Sequence, residues 1–264
     1  MDVHLITTDQ TSFELLEILN GALNVTSVIV PANRRHTRKV ARVVKMAECR
    51  QIPVYIHHLR SRFSRDLPPA CAAICWLYSQ IICEQDLARY PMGILNMHGG
   101  KLPQYRGASV LQWAIINGES ECGVSWHRLI REVDAGPIYV EGRIPITPES
   151  TGYELRQAMI LEAMDLFPKA WRRFLQSEST RVPDILEGKV WPQRTPLDSC
   201  IKDELTEKEL RDFVRAQCEP WPRPFVVAGN SRVEIDRVVS EYEPGAIPYQ
   251  TSDGRKTYLV PVDN

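Results

Sequence analysis

Asn96 and His98 stand two residues apart at the end of a short apolar segment, directly before Gly99 and Gly100. Side chains two apart on a strand project from the same face, so the amide and the imidazole are expected to stand together. Glycine after a strand lets the backbone approach a ligand closely. This spacing makes residues 96–98 a candidate catalytic segment.

Asp134 is a candidate third member of this site, because its carboxylate precedes an Ala-Gly-Pro turn predicted between two strands. Transfer of an acyl group to an amine needs hydrogen-bond donors for the developing oxyanion, a base for the amine proton, and a carboxylate that tunes the base. Asn96, His98 and Asp134 supply this set. By spacing alone, a structural histidine and an ordinary turn aspartate explain the same residues.

The elements around these residues alternate short apolar runs with amphipathic stretches, a pattern typical of βα units that feed a parallel sheet. Strands are predicted at residues 3–7, 25–30, 53–56, 72–77, 94–97, 123–129 and 138–145. Helices are predicted from a Ser12 cap through Leu19, around 40–47, over 109–117, and over 152–175 with an interruption near Pro168. We predict an α/β fold with a doubly wound, mostly parallel, Rossmann-like sheet, whose strand ends are where ligands bind.

The composition changes over residues 183–198, which contain three prolines and show no clear period. We interpret this stretch as a linker between a catalytic domain at 1–182 and a small C-terminal α+β domain at 199–264. In that small domain a helix is predicted at 207–218, with short strands at 225–227, 233–238 and 258–260.

Several functional classes are disfavoured. The first strand is followed by Thr7-Thr8-Asp9-Gln10 and not by the glycine pattern of a dinucleotide-binding loop. The seven cysteines lack zinc-site spacing, which predicts reduced thiols and no metal. No apolar stretch approaches the roughly 20 residues that span a membrane, and the N-terminus does not resemble a signal peptide, so we expect a cytoplasmic protein.

The formal net charge of -1 argues against a protein that binds nucleic acid chiefly through the electrostatic field of the whole molecule. Two local basic segments remain, at residues 34–42 and 60–65. They have two open interpretations, a contact with the phosphates of a nucleotide or tRNA, and a solvated helix face.

The stretch Leu95-Asn96-Met97-His98-Gly99-Gly100-Lys101-Leu102-Pro103-Gln104-Tyr105-Arg106-Gly107 resembles the signature of the formyltransferase family, in which Asn-x-His is followed by Leu-Pro and Arg-Gly. The similarity continues through residues 115–125 and 133–138 at the family's spacing. The resemblance implies that Asn96, His98 and Asp134 are catalytic and that 10-formyltetrahydrofolate is the formyl donor. It also implies a folate-binding loop formed by Leu77, Tyr78, Ser79, Gln80, Ile81 and Ile82, whose backbone groups pair with the pterin.

The acceptor is the open part of this interpretation. The Ser79-Gln80 pair is similar to a sequence typical of sugar N-formyltransferases, and the C-terminal part is too short for the complete barrel of the methionyl-tRNA branch. We therefore expect a nucleotide-linked amino sugar, with another amine on methionyl-tRNA or ornithine as the alternative. A folate-binding module without turnover is a third possibility, which the presence of the whole catalytic set disfavours.

On that interpretation the substrate-binding residues are Gly100, Lys101, Tyr105 and Arg106. The Arg106 guanidinium could clamp a pyrophosphate and the Tyr105 ring could stack on a sugar or base, although Arg106 could equally order its own loop. Lys101 departs from the family pattern and either contacts phosphate or points into solvent. The resemblance further implies a homodimer, and neither a membrane nor a nucleic acid is expected as a partner.

Overall fold

A computed structural model describes residues 1–19, 21–218, 221–229 and 231–262 of the chain. Its largest element is a seven-stranded sheet with the strand order β3-β2-β1-β4-β5-β7-β8. The first eight strands of the chain are β1 (Asp2–Thr7), β2 (Asn24–Pro31), β3 (Val54–His57), β4 (Ala72–Trp76), β5 (Ile94–His98), β6 (Tyr105–Gly107), β7 (Glu121–Arg128) and β8 (Ile138–Pro145). Of these, β6 lies outside the large sheet.

The centre of the sheet is buried on both faces, which explains why its strands read as continuous apolar runs. Every residue of β4 and β5 is buried, as are five of the six residues of β1. Strands β1 to β5 pair in parallel, whereas β7 pairs antiparallel with β5. The predicted doubly wound, mostly parallel α/β sheet is confirmed, with β7 as the antiparallel exception.

Six α-helices are described: α1 (Thr11–Glu17), α2 (Arg38–Cys49), α3 (Glu84–Leu87), α4 (Val110–Ile116), α5 (Gly152–Gln176) and α6 (Glu207–Arg215). The predicted Ser12 cap is wrong, because α1 begins at Thr11 and its N-cap residue is Gln10. Ser12 instead lies inside the helix, where its buried hydroxyl donates to the carbonyl of Asp9 at 2.8 Å. None of the helices in these described ranges is long and apolar enough to cross a membrane.

The predicted interruption of the long helix near Pro168 is also wrong. Helix α5 runs without a break through this proline. Proline removes one backbone hydrogen bond from a helix interior. Phe167 and Ala170, on either side of it, are completely buried. Tertiary packing therefore holds the helix where its local sequence would weaken it.

The chain divides into two compact units. The first consists of Met1–Gln104, Val124–Gly142 and Leu161–Gly188, and the second of Tyr105–Gly123, Arg143–Ile160 and Lys189–Asn264. The predicted domain boundaries at 182 and 198 stay a prediction. Within the predicted linker, β9 (Lys189–Trp191) pairs in parallel with β6, and the ring of Trp191 stacks on that of Tyr105 with centroids 5.4 Å apart.

The second unit contains a four-stranded antiparallel sheet with the order β10-β11-β13-β12. Its strands are β10 (Phe225–Ala228), β11 (Ser231–Val239), β12 (Ile247–Gln250) and β13 (Lys256–Pro261). Helix α6 packs on β11 through a cluster that includes Leu210, Val214 and Ile235. The predicted C-terminal α+β extension is confirmed, and β12 is a strand that the sequence patterns did not indicate.

Candidate active site

Strand β5 places Asn96 and His98 on one face, at the carboxyl end of the parallel part of the sheet. Asn96 is 9% exposed and His98 is 7% exposed, so both polar groups are largely withdrawn from water. Buried polar groups need hydrogen-bond partners, because leaving one unpaired costs about 1–3 kcal/mol. The partners come from β7 and from the turn that follows it.

His127 on β7 lies opposite Asn96 in the antiparallel pair. The Nδ2 atom of Asn96 is 2.9 Å from Nε2 of His127, and Nδ1 of His127 is 3.0 Å from the carbonyl oxygen of Arg128. The two contacts fit one tautomer, in which Nδ1 donates to the carbonyl and Nε2 accepts from the amide. His127 therefore fixes the orientation of the Asn96 amide.

The carboxylate of Asp134 lies between two imidazole rings. Its Oδ2 atom is 3.4 Å from Nδ1 of His98, and its Oδ1 atom is 3.5 Å from Nε2 of His127. The side chain of Asp134 is 12% exposed. The charge of the carboxylate therefore acts on both rings from close range. The structure thus brings together Asn96, His98 and Asp134.

The turn that carries Asp134 depends on a glycine. The backbone of Asp134 has a φ of 47°, in the left-handed region that aspartate tolerates better than most residues. Two residues later, a Cβ atom on Gly136 would lie 1.9 Å from the carbonyl oxygen of Arg128. The N–H of Arg128 donates to the carbonyl of Pro137 at 2.9 Å. Only glycine lets the turn lie so close to the end of β7, and this approach carries Asp134 to the histidines.

Two neighbouring side chains have supporting roles. Burial, and to a smaller extent the charge of Asp134, raises the pKa of the Cys75 thiol, so this cysteine stays protonated and is a poor nucleophile. The hydroxyl of Ser125 donates to the carbonyl of Gly100 at 3.0 Å. This bond ties the predicted substrate residue Gly100, which lies just after β5, to β7.

The predicted folate loop, residues 77–82, follows β4 and is anchored at both ends. Leu77 adopts a φ of 48°, and its carbonyl oxygen accepts a hydrogen bond from the Thr8 hydroxyl. At the other end, Ile82 is buried within the core of the first unit. Between them Ile81 is 70% exposed. The loop thus presents an apolar side chain to solvent from a fixed backbone.

Two polar side chains of this loop reach neighbouring strands. The hydroxyl of Tyr78 is 2.7 Å from Nδ1 of His57, at the end of β3. The amide of Gln80 donates to Oδ1 of Asn33, just beyond β2, at 2.8 Å. Burial lowers the pKa of His57 and raises that of the Tyr78 hydroxyl, so the tyrosine and the ring stay neutral around pH 7.

The remaining predicted substrate residues are divided between the two units. Lys101 is half-buried in the first unit, whereas Tyr105 and Arg106 belong to the second. The hydroxyl of Tyr105 donates to Glu119 at 2.7 Å, and burial raises its pKa to about 12. Arg106 is 9% exposed, and its Nε atom has no hydrogen-bond partner among the described residues. Their role in substrate binding stays a prediction.

Sequence reasoning missed His127. The available signal was the alternation in residues 123–129, which places Ser125 and His127 on the same face of a predicted strand. Only the register of β5 and β7 shows that this face belongs to the site. Within the described part of the chain, no group of three or more His, Cys, Asp or Glu residues has a geometry that could hold a metal ion.

Comparison with known proteins connects this geometry to one family. Residues 59–171 match the model of a family described as formyl transferase, and this range includes all four site residues. Among solved structures, the sugar 3N-formyl transferase WlaRD, crystallised in the presence of dTDP and 5-N-formyl-THF, aligns with a TM-score of 0.74 at 17% identity. That alignment covers 100% of this chain and 98% of the other.

Two further structures share the fold. An N-formyltransferase from Helicobacter canadensis, in complex with folinic acid and dTDP-3-aminofucose, aligns with a TM-score of 0.74 at 16% identity and covers 98% of this chain and 99% of its own. The methionyl-tRNA formyltransferase from Clostridium thermocellum aligns with a TM-score of 0.62 at 17% identity over 100% of both chains. At these identities the likeness establishes a common fold.

Proposed function

From the formyl transferase domain at residues 59–171, we propose that this chain transfers a formyl group from 10-formyltetrahydrofolate to the amino group of a nucleotide-linked amino sugar. The observation that carries the proposal is the placement of Asp134 between His98 and His127, with the Asn96 amide held by His127. A role in polysaccharide biosynthesis follows from that acceptor. The homodimer implied by the family resemblance belongs to the same proposal, and sedimentation velocity tests it.

The proton chemistry falls to His98. Because the carboxylate of Asp134 lies next to Nδ1, it favours the tautomer that carries its proton there. Nε2 is then the basic nitrogen. It would take a proton from the attacking amine and pass a proton to the folate nitrogen, which leaves as its bond to the formyl carbon breaks. As the imidazole becomes positively charged, the same carboxylate stabilises it. Asp134 thus orients the base and balances its charge.

The amide of Asn96 supplies the electrostatic part of catalysis. One N–H is committed to His127, which fixes the plane of the amide. The second N–H can donate to the formyl oxygen as negative charge develops on it. A donor that is already in place before the reaction needs no reorganisation, and losing one such donor typically costs about 10²–10³ in kcat.

The predicted folate loop fits the donor in its chemistry. When bound, the folate supplies an activated formyl group. The exposed Ile81 side chain and the buried, unpaired Oε1 atom of Gln80 suit a flat, partly apolar ring that bears N–H groups. The loop residues 77–82 would hold that ring, while Asn96 and His98 act on the formyl group.

The choice of acceptor is supported by the solved structures. The two sugar-modifying enzymes were crystallised with dTDP or a dTDP-linked amino sugar, and both align at a higher TM-score than the methionyl-tRNA enzyme. Formylation of another amine, on methionyl-tRNA or ornithine, is the alternative. The exposed basic residues at 34–38 give the tRNA alternative a specific observation in its favour.

Turnover tests the proposal directly. The purified chain is incubated with 10-formyltetrahydrofolate and, in turn, with nucleotide-linked 3- and 4-amino sugars, initiator methionyl-tRNA and ornithine, and the release of tetrahydrofolate is followed. We expect release with an amino sugar, and its loss in His98→Ala but not in His58→Gln, which changes an exposed histidine. Release with tRNA or ornithine alone would replace the acceptor, and release with none would refute the enzymatic proposal.

A further inference from the structure

The side chain of Gln80 is buried with half of its amide unsatisfied. It is 8% exposed, its Nε2 atom donates to Asn33, and its Oε1 atom has no hydrogen-bond partner within the described ranges. A buried amide oxygen without a donor is unfavourable, because it has lost its hydrogen bonds to water and gained none in return. The fold therefore keeps an acceptor for a donor that the chain itself does not provide.

Asn33, the partner of Gln80, opens a strongly basic segment. Residues 32–47 contain no aspartate or glutamate and carry Arg34, Arg35, Arg38, Lys39, Arg42 and Lys45. The side chains of Arg34, Arg35 and Arg38 are exposed. Among the residues that the structure describes, Lys39 pairs with Asp9 at 3.8 Å, but these three arginines form no ion pair. Arg34 and Arg35 directly follow Asn33, the hydrogen-bond partner of Gln80, in the chain.

The start of α2 adds to this positive charge. Thr37 caps the helix, and its hydroxyl accepts the N–H of Val40. The first turn contains Arg38 and Lys39 and no acidic residue. The N-terminus of a helix carries a partial positive charge, so cations there are unfavourable. An anion bound at this point would turn the arrangement into a favourable one.

We propose that Asn33, Arg34, Arg35, Arg38 and Gln80 form an anion-binding rim at the folate loop, which holds the charged end of a bound ligand. Gln80 accepts an N–H of the ligand through Oε1. The exposed guanidinium groups bind its oxyanions, for which their forked geometry is suited. The hydrogen bond between Gln80 and Asn33 joins the folate loop to the basic segment that carries the arginines of the rim.

This inference rests on the proposed function, which supplies two candidate anions. One is the carboxylates of γ-linked glutamates on the folate, and the other is the diphosphate of the nucleotide. Both anions present oxyanions to arginine, and this shared chemistry defines the site. The experiment must therefore distinguish the folate carboxylates from the nucleotide diphosphate. The segment is attached to the folate loop through Asn33, which makes the folate tail the natural first probe.

The test compares affinities of the full-length chain. The rim variant carries Arg34→Glu and Arg35→Glu, and its matched control carries Lys169→Glu and Arg172→Glu, two exposed cations of α5 with the same change in charge. Kd is measured by calorimetry for 5-formyltetrahydrofolate with one and with four γ-linked glutamates, and for dTDP. Thermal unfolding checks that both variants remain folded.

We expect the rim variant, and not the control, to lose about tenfold in affinity, the size of a single charge-assisted contact. A loss confined to the four-glutamate probe identifies the folate tail, and a loss confined to dTDP identifies the diphosphate. Gln80→Leu, which removes the acceptor, should weaken both folate probes about equally.

Affinities for all probes within twofold of the control would overturn the rim, as would a rim variant that loses only salt-sensitive tRNA binding. In either case folate binding by the unmodified chain leaves the proposed function standing. If the unmodified chain binds neither folate nor dTDP, the proposed function itself fails and the rim falls with it.

Discussion

The amide nitrogen of Asn96 lies 2.9 Å from Nε2 of His127, across the antiparallel pair formed by β5 and β7. The group proposed to donate to the formyl oxygen is thus oriented by an imidazole on the neighbouring strand. His127 in turn is held by the carbonyl of Arg128. His127 is therefore a positioning residue, and its effect on catalysis passes through Asn96.

Replacement of His127 by alanine should lower kcat by about 10–100-fold, because the Asn96 amide loses the acceptor that fixes its plane. The affinity for 5-formyltetrahydrofolate should stay within about twofold, since the amide acts on developing charge. His127→Gln, whose side-chain oxygen can accept the same hydrogen bond, should recover part of the loss. Steady-state kinetics and calorimetry separate these effects, and an unchanged kcat in His127→Ala would remove the assigned role.

Asp134→Asn keeps the shape of the side chain but removes the charge beside His98 and His127. We expect kcat to fall by about 10²–10⁴-fold, because the correct tautomer and the charged imidazole lose their stabilisation. Glu132→Gln, an exposed residue of the same turn, is the control. Equal kcat in the two variants would contradict the assignment.

Gly136→Ala should act on both stability and catalysis. The added methyl group would meet the Arg128 carbonyl oxygen at 1.9 Å, so the turn must move and take Asp134 with it. We expect a loss of about 1–3 kcal/mol in the free energy of unfolding, together with a fall in kcat. Gly142→Ala, where the nearest atom is the mobile carboxylate end of Glu162, should cost less. Urea unfolding of both variants decides this.

Stability should depend on pH through His4. Burial, followed by the charge of Arg89, lowers the pKa of this imidazole from 6.5 to about 4. Between these values the unfolded chain binds more protons than the native one, so the free energy of unfolding falls as the pH is lowered from 6.5 to 4. The expected loss is on the order of 1–2 kcal/mol.

The measurement is urea unfolding at pH 7, 5.5 and 4.5 for the unmodified chain, His4→Gln and the control His58→Gln. His4 is buried against the Tyr90 hydroxyl, whereas His58 is exposed. His4→Gln should flatten the dependence on pH, and His58→Gln should leave it unchanged. The same slope in all three proteins would exclude His4 as its source.

The parallel sheet was accessible from the sequence because it depends on local alternation. Residues 96–98 were singled out by the glycines at a strand end together with the resemblance to the formyltransferase signature. The environment of Asp134 was not accessible from the sequence, because it depends on the register of two strands about thirty residues apart and on the close approach at Gly136. His127 was hidden for the same reason. Pro168 failed as a helix breaker because tertiary packing outweighs its local cost.

Strands β5 and β7 carry Asn96, His98 and His127, and the chain between them belongs largely to another unit, which contains Tyr105–Gly123. The hydrogen bonds between β5 and β7 hold these three residues in register, independently of the length or composition of the intervening segment. The intervening segment can therefore be replaced during evolution without displacing these three side chains. Under the proposed function, the acceptor amine can therefore change with that segment while Asn96, His98 and His127 keep their positions.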